Sequence, residues 1–295
     1  MLVALMAVAL ATVLALGLIE RGQGTLARTQ ALISTERAYQ YALGMDLLAD
    51  QLIARVMADG LDPTLLNGTW TPVYEVPGGL IQGRLIDQNA RFNVNALAHP
   101  DRLRAVQAFE RFERLLDHLG LPVIIAAELA DWLEGAPQPR PGSAGDSHYA
   151  SQRPPYRMAG TRLAHVSELR WLRSVDEAAW ERLVPVVTAL PEPELIININ
   201  TASAAVLASL FADLDIDSAR RLAGDGPWAD VQGFMQHPLV QAQAVPGLES
   251  GLVVLSPWYL AQARVVLDGV ERDYFRLMRW GTSGYDFRLF SQGVP

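Results

Sequence analysis

Three acidic residues around an irregular loop could act together as metal ligands. Asp131 and Glu134 lie at the end of a predicted helix, and Asp146 lies within the loop that follows, Gly135 to Arg157. The loop is too rich in proline and glycine for regular structure: Pro137, Pro139, Pro141, Gly142, Gly145, Pro154 and Pro155. Calcium takes about six to eight oxygen ligands from carboxylates and carbonyls held in a loop. We therefore expect a calcium site, which a rise in melting temperature with calcium would test; the alternative is solvated loop acids and a helix-end Asp131.

Other reactive chemistry is poorly represented. The 295 residues include no cysteine, which excludes disulfides and thiol catalysis. The five histidines form no metal-binding pair at helical spacing, and GxSxG, phosphate-loop and GxGxxG motifs are absent. Scattered carboxylates leave a hydrolase open but unsupported, so we expect that the chain is not an enzyme.

A segment in the C-terminal half resembles a helix-hairpin-helix module of DNA-binding proteins. It runs from Ile197 to Ala202, with Asn200 or Thr201 as the expected N-cap of the next helix. Its hairpin, Ala212 to Asp217, holds three acids and no glycine and would repel phosphate, and the net charge is -8. We expect a packing unit and no nucleic-acid partner; the alternative is a membrane-tethered DNA-binding or DNA-uptake protein.

The chain begins with an apolar segment. Met1 to Ile19 contains no charge, and 17 of its 19 residues are apolar. As a helix it would be about 28 Å long, close to the ~30 Å hydrocarbon core of a bilayer. We expect a single membrane anchor, with a cleaved signal peptide and a buried core helix as alternatives. By charge alone, Arg21 and Arg28 would keep the remainder in the cytoplasm.

The helix is expected to continue past this segment. Thr25 to Asp59 contains no proline, and large apolar residues recur every three or four positions: Tyr41, Met45, Leu48, Leu52 and Val56. Gly60 and Pro63 provide a stop. The pattern predicts one long helix that packs onto a globular domain.

Alternating patterns on both sides of a helical block predict the fold. A hairpin is expected between Trp70 and Ile86, turning at Pro77-Gly78-Gly79. Helices are expected at Asp101–Leu119, Pro122–Leu133, Val166–Leu172, Val175–Leu190, Ala202–Phe211 and Asp215–Ala223. Strands are expected again at Leu252–Leu255, Tyr259–Leu267, Asp273–Trp280 and Tyr285–Phe290. We predict an α+β protein in which a long N-terminal helix packs on an antiparallel sheet that carries a large inserted all-helical domain.

Several sequence stretches give the chain a family resemblance. They are Asp87–Asn95 (DQNARFNVN), Asp131–Glu134 (DWLE), Pro155–Arg157 (PYR), Val166–Arg170 (VSELR) and Ile196–Ala202 (IININTA). In this order, behind an apolar start, they resemble the protein K family, the large minor pseudopilins of the bacterial type II secretion system, which are pilin-like. The resemblance spans most of the chain.

The resemblance implies a location. Family members are made with a short basic leader that a prepilin peptidase removes, and no such leader is recognisable before the apolar segment. Their helix holds them in the inner membrane until they enter the pseudopilus. We therefore expect a single-pass inner-membrane protein whose C-terminal domain is periplasmic, against the charge rule.

The resemblance also implies partners. A protein K caps the pseudopilus tip with other minor pseudopilins, starts assembly at the inner-membrane secretion platform and supports export of folded proteins across the outer membrane. Most pilin-like helices carry an early acid that pairs with a neighbouring subunit, whereas the first acid here is Glu20, which fits a subunit with no neighbour above it. An ordinary anchor that avoids charge is the alternative.

Two finer expectations follow from the resemblance. Relatives carry Gly-Ala-Glu-Asp in the loop, where this chain has Ser143-Ala144-Gly145-Asp146 followed by Tyr149, so one expected calcium ligand is missing. We expect residues 1–24 to form the transmembrane or filament helix, 25–99 its continuation and first strands, 100–250 the inserted domain with a helix-hairpin-helix or SAM-like unit, and 251–295 the closing strands.

Overall fold

A computed structural model describes residues 1–59, 62–243, 247–281 and 284–292. Within these ranges the helices are α1 (Leu2–Asp59), α2 (Arg102–His118), α3 (Ile124–Glu134), α4 (Asp146–Ala150), α5 (Glu177–Leu183), α6 (Ala204–Ser209), α7 (Ile216–Gly224), α8 (Val231–Met235) and α9 (Pro238–Gln241). The strands are β1 (Tyr74–Val76), β2 (Gly79–Asp87), β3 (Phe92–Asn93), β4 (Val187–Thr188), β5 (Ile197–Asn198), β6 (Leu252–Val253), β7 (Trp258–Leu267), β8 (Val270–Gly281) and β9 (Gly284–Gln292). Gly60, half of the predicted stop of α1, lies outside the described residues.

The long N-terminal helix is confirmed. Helix α1 has 58 residues and is therefore about 87 Å long at 1.5 Å per residue. Its second half packs on the sheet through Ala38, Ala42, Met45, Ala49, Ile53 and Val56. Of the predicted stripe, Met45 and Val56 lie at the centre, whereas Tyr41, Leu48 and Leu52 are half-buried at its flanks.

One glycine lets the helix approach the sheet closely. A Cβ added at Gly83 of β2 would lie 2.3 Å from the Cε of Met45 on α1. A larger residue at position 83 would therefore push this side chain away. Small residues on both surfaces set the distance between helix and sheet.

The predicted antiparallel sheet is confirmed. Its order is β1-β2-β7-β8-β9, and every neighbouring pair is antiparallel. Strands β2 and β7 pair from Gly79 opposite Leu267 to Asp87 opposite Tyr259. Residues 88–257, called the helical unit below, connect these two neighbouring strands. The α+β class with a helical insertion is therefore as predicted.

The helical unit has its own core. Phe112, Leu115 and Leu116 of α2 and Ile125 and Leu129 of α3 are fully buried in it. Helix α2 begins where its sequence predicts, because the side chain of Asp101 accepts hydrogen bonds from the backbone N–H groups of the first turn. The unit also contains two short parallel pairs, β3 with β4 and β5 with β6.

The predicted helix Val175–Leu190 is wrong in its second half. Helix α5 ends at Leu183, and the chain continues into β4, Val187–Thr188, which pairs with β3. Pro185 cannot donate to a helix ladder, and the β-branched residues after it favour a strand. The spacing of apolar residues alone did not indicate that the helix ends at Leu183.

Smaller differences concern element ends. The hairpin's first strand starts at Tyr74 rather than Trp70, the predicted helix at Val166–Leu172 is a 3-10 turn, and the loop after α3 contains the short helix α4. The predicted strand Leu252–Leu255 is reduced to β6, which pairs with β5 and not with the large sheet.

The predicted N-cap of α6 is also wrong. The capping residue is Ser203, whose hydroxyl accepts a hydrogen bond from the N–H of Val206. Asn200 and Thr201 are engaged elsewhere: the first bonds the backbone of Trp228 and Val254, and the second donates to Asp87.

Candidate functional site

The first part of α1, residues 1–33 and called the rod below, is exposed, and its first 19 residues carry no charge. All residues of 1–33 whose exposure the structure describes are exposed, except Gly17, which is half-buried. Large apolar side chains project from it: Leu2, Val3, Leu5, Met6, Val8, Leu10, Val13, Leu14, Leu16, Leu18 and Ile19. Its most apolar window has a mean hydropathy of 2.8 and no buried residue. Within the described ranges it is the one helix long and apolar enough to cross a membrane, a test that a signal sequence also passes.

This surface is unfavourable in water. Each exposed leucine, valine or methionine forgoes about 1.5–3 kcal/mol that burial would provide. A contiguous surface of this size marks a membrane or protein contact. The rod is therefore the first candidate functional surface, and the structure does not place it in a core.

The rod and the helical unit lie at opposite ends of the sheet. Where α1 first meets the sheet, Ala38 and Ala42 lie in one buried cluster with Leu267, the last residue of β7 before the β7–β8 turn. At the other end of α1, Ile53 packs with Leu85 and Tyr259, where β2 ends and β7 begins. The helical unit connects those strand ends, so it lies beyond the C-terminal end of α1.

A buried polar junction ties the helical unit to the sheet. Asp87, the last residue of β2, is fully buried. One of its oxygens accepts from the N–H groups of Asn89 and Ala90, at 2.8 and 3.1 Å. The other accepts from Asn198 Nδ2 at 2.8 Å and Thr201 Oγ1 at 2.6 Å. Burial raises the pKa of Asp87 even though these hydrogen bonds favour its charged form.

Two asparagines of the motif Asp87–Asn95 bind backbone groups from distant segments. Asn89 donates to Ile196 O and accepts from Trp258 N, each at 3.0 Å. Asn95 donates to Leu163 O and Leu190 O and accepts from Leu163 N. Buried amides with all partners present rigidify a fold, because each lost partner leaves an unsatisfied group. This motif is therefore structural in this chain.

Two of the predicted metal ligands are bound to one arginine. Asp131, fully buried on α3, accepts hydrogen bonds from the backbone N–H of Arg140 at 2.8 Å and from its guanidinium. Glu134 accepts from Arg140 Nη2 at 2.8 Å. Burial of Arg140 opposes its charge, but its hydrogen bonds with Glu134 and Asp131 outweigh that effect and raise the pKa of Arg140 above its ordinary value.

The third predicted ligand lies apart from this pair. Asp146 begins α4, and its side chain accepts a hydrogen bond from the N–H of Met158 at 2.9 Å. Among the residues that the structure describes, no group of three or more His, Asp or Glu side chains could hold a metal ion. The calcium site stays a prediction.

Sequence reasoning missed a further buried acid of the same helix. Glu128, fully buried, precedes Asp131 by one turn of α3 and accepts hydrogen bonds from Ser174 N at 2.9 Å and Ser174 Oγ at 3.0 Å. It also pairs with Arg173 Nη2 at 2.7 Å. A lone acid at a spacing of three from Asp131, among apolar residues, was the signal that could have revealed it.

An aromatic cluster packs two tyrosines of the loop Gly135–Arg157 against tryptophans outside it. Tyr149 packs edge-on against Trp132 with ring centroids 5.3 Å apart, and Tyr156 packs on Tyr149 at 5.3 Å and on Trp171 at 5.0 Å. Burial, together with the nearby carboxylate of Glu128, raises the pKa of Tyr149 to about 12. The tyrosine is therefore neutral at physiological pH and acts in packing.

Comparisons with known proteins agree with this architecture. The chain is 34% identical over 285 residues to the type II secretion system protein K of Klebsiella pneumoniae, covering 90% of this chain and 87% of the relative. It is 35% identical over 222 residues to that of Pseudomonas aeruginosa, covering 70% and 66%. A chain of the crystal structure of the GspK-GspI-GspJ complex from enterotoxigenic Escherichia coli superposes with a TM-score of 0.69 at 25% identity, covering 88% of this chain and 99% of that one.

A long helix with an exposed apolar half and a sheet-packed half defines a pilin-like subunit. Two family models for protein K of the type II secretion system match residues 90–192 and 197–255. The chain belongs to the type II secretion system protein K family. The family resemblance predicted from the motifs is thus confirmed; that the chain is not an enzyme stays a prediction, in a family of structural components.

Proposed function

We propose that this chain is a minor pseudopilin that caps the tip of the type II secretion pseudopilus. There it forms a complex with counterparts of GspI and GspJ, the proteins that accompany GspK in the related crystal structure. The exposed apolar rod anchors it in the inner membrane before assembly and packs among neighbouring helices afterwards. The sheet and the helical unit lie in the periplasm.

One observation carries the capping proposal. The helical unit lies beyond the C-terminal end of α1, at the end of the sheet opposite the rod. In a filament whose helices point towards the membrane through their N-termini, that end is where the next subunit would stack. A unit of about 170 residues on that end (88–257) leaves no space for it.

The proposal extends to assembly and export. A tip subunit that enters first, with its partners, initiates the pseudopilus at the inner-membrane secretion platform. The growing filament then supports export of folded proteins across the outer membrane. The absence of any acid before Glu20 supports this order, because a first subunit meets no earlier subunit above it.

The geometry gives no support to DNA binding by the helix-hairpin-helix-like segment. A phosphate would need free N–H groups at the start of α7. There the side chain of Asp215 accepts from Ser218 N at 2.8 Å and caps the helix itself. Asp217, two positions further along the chain, pairs with Arg220.

Labelling of purified pseudopili tests the capping proposal. Gold-conjugated antibodies against the helical unit should bind at one end of each filament, whereas antibodies against the major subunit should decorate its whole length. Label from the helical unit along the filament would contradict a tip position.

The partner proposal is tested separately by mixing this chain with the two candidate minor pseudopilins. A ternary complex in gel filtration is expected, and independent elution of the three proteins would refute the proposal.

A further inference from the structure

The loop after α3 offers calcium a poor set of ligands. Both oxygens of Asp131 accept hydrogen bonds from Arg140, and Glu134 accepts from the same guanidinium. The side chain of Asp146 accepts a hydrogen bond from Met158 N. Calcium binds through six or more free oxygens at about 2.3–2.6 Å. The acids of this loop therefore do not fit calcium in their present arrangement.

The loop is also closed at the position of the missing ligand. A Cβ added at Gly145 would lie 3.0 Å from Cγ and 3.4 Å from Cδ of Pro139. A glutamate at position 145, which the resemblance leads one to expect, would crowd the proline ring, which would have to shift by a few tenths of an ångström. Pro139 directly precedes Arg140, so a side chain at position 145 would press on the backbone that presents the guanidinium.

We infer that Arg140 replaces a divalent cation in this chain, so that the loop is ordered without calcium. The guanidinium bridges Asp131, at the buried surface of α3, and Glu134, at its end, and lies over the ring of Phe109 at 6.0 Å. Arg173 neutralises Glu128 in the same row of α3. Each buried carboxylate of this helix thus has an arginine partner from a different segment.

Charge repulsion explains why a calcium ion and the Arg140 guanidinium exclude each other from this site. A calcium ion bound to Asp131 and Glu134 would lie within a few ångströms of the Arg140 guanidinium, which uses the same oxygens. Like charges at that distance repel strongly in a partly buried site. Calcium can therefore enter only if the Arg140 guanidinium leaves, and removing that guanidinium would leave the buried carboxylate of Asp131 without a cation.

Calcium titration of the full-length protein in detergent, after treatment with EDTA, tests the inference. We expect that millimolar calcium leaves the melting temperature unchanged and that metal analysis finds no bound calcium. Arg140→Ala should melt several degrees lower and should regain part of the loss when calcium is added, because the freed carboxylates can then take the ion. Arg140→Lys keeps the positive charge but cannot bridge two carboxylates as a guanidinium does. Its melting temperature should lie between those of the wild type and Arg140→Ala.

A matched variant in the same loop serves as control. The side chain of Arg157 is exposed, and among the described residues it has no hydrogen bond or ion pair, so Arg157→Ala should change neither the melting temperature nor the calcium response. Stoichiometric calcium in the wild-type protein, with a higher melting temperature, would overturn the inference, and so would an Arg140→Ala variant as stable as the wild type. If Arg140→Ala does not fold, the wild-type and Arg140→Lys titrations decide. No partner chain is needed, so the result is independent of the capping proposal.

Discussion

Asp87 shows how one carboxylate can join two parts of a molecule. It ends a strand of the sheet, and its second oxygen receives donors from Asn198 and Thr201, which belong to the helical unit. Because its pKa is raised by burial, the folded protein holds this proton more tightly than the unfolded chain does. The stability that Asp87 contributes by holding its proton is therefore complete at pH values below 3.8, its ordinary pKa. This contribution is lost as the pH rises through the pKa of the folded protein.

The raised pKa of Asp87 leads to a prediction about how stability depends on pH. In Asp87→Asn the group no longer titrates, although the new amide opposes the donor of Asn198 and lowers stability at every pH. The difference in melting temperature between wild type and Asp87→Asn should therefore shrink as the pH is raised from about 3.8 towards neutrality. Thermal melts across this range measure it, with the exposed Asp213→Asn as control. A difference that grows with pH would show that the pKa of Asp87 is lowered instead.

Residue types were predicted better than residue contacts. The acids Asp131 and Glu134 stood out by type and by spacing, but their partner Arg140 did not, because the path of a proline-rich loop determines which cation reaches them. The same holds for Asn95, whose three backbone partners lie about 70 to 95 positions along the chain. Such contacts depend on the completed fold.

At the level of elements, the long helix and the sheet follow from periodicity. The axis of the buried stripe on α1 did not, because it runs through Ala38, Ala42 and Ala49. Alanine is a good helix former on any face, so it gives little information about burial. The end of α5 and the short strand β4 that follows it were missed for a related reason, since a two-residue parallel strand has no periodicity of its own.

The packing of α1 is open to a mutational test. Ile53 is fully buried against the sheet, whereas Leu47 on the same helix is 69% exposed. We expect Ile53→Asn to lower the free energy of unfolding by about 3–5 kcal/mol, through lost packing and a buried amide. Leu47→Asn should change it by less than about 0.5 kcal/mol. Leu48 and Leu52, at the flanks, should give intermediate losses.

Denaturant titration of the full-length protein in detergent provides the measurement. Equal losses for Ile53→Asn and Leu47→Asn would mean that the described face of α1 is not the one that packs. Secretion assays on the same pair would then separate folding from assembly, because Leu47 is free to contact a neighbouring subunit.

For the whole molecule, the sequence predicted an insertion in a pilin-like fold, and the structure adds the direction in which it projects. A separate question, on which side of the membrane the helical unit lies, can be checked in cells. The chain has no cysteine, so Thr161→Cys, at an exposed position of the helical unit, introduces a single thiol. A periplasmic helical unit should react with a membrane-impermeant maleimide once the outer membrane is permeabilised. Reaction only after lysis of the inner membrane would place it in the cytoplasm, as the arginines after the apolar segment would by charge alone.

The junction between β2 and β7 has a consequence for how the chain folds. Bringing these strands together requires closure of a loop of about 170 residues, residues 88–257, which costs roughly 4.5 kcal/mol of chain entropy if the loop is flexible. The folded helical unit brings its own ends together, since Asn89 near its start donates to Ile196 O, and Ser256 near its end accepts from Asn198. A helical unit that folds first thus removes most of this entropy barrier, and the sheet can form at the rate of a short hairpin.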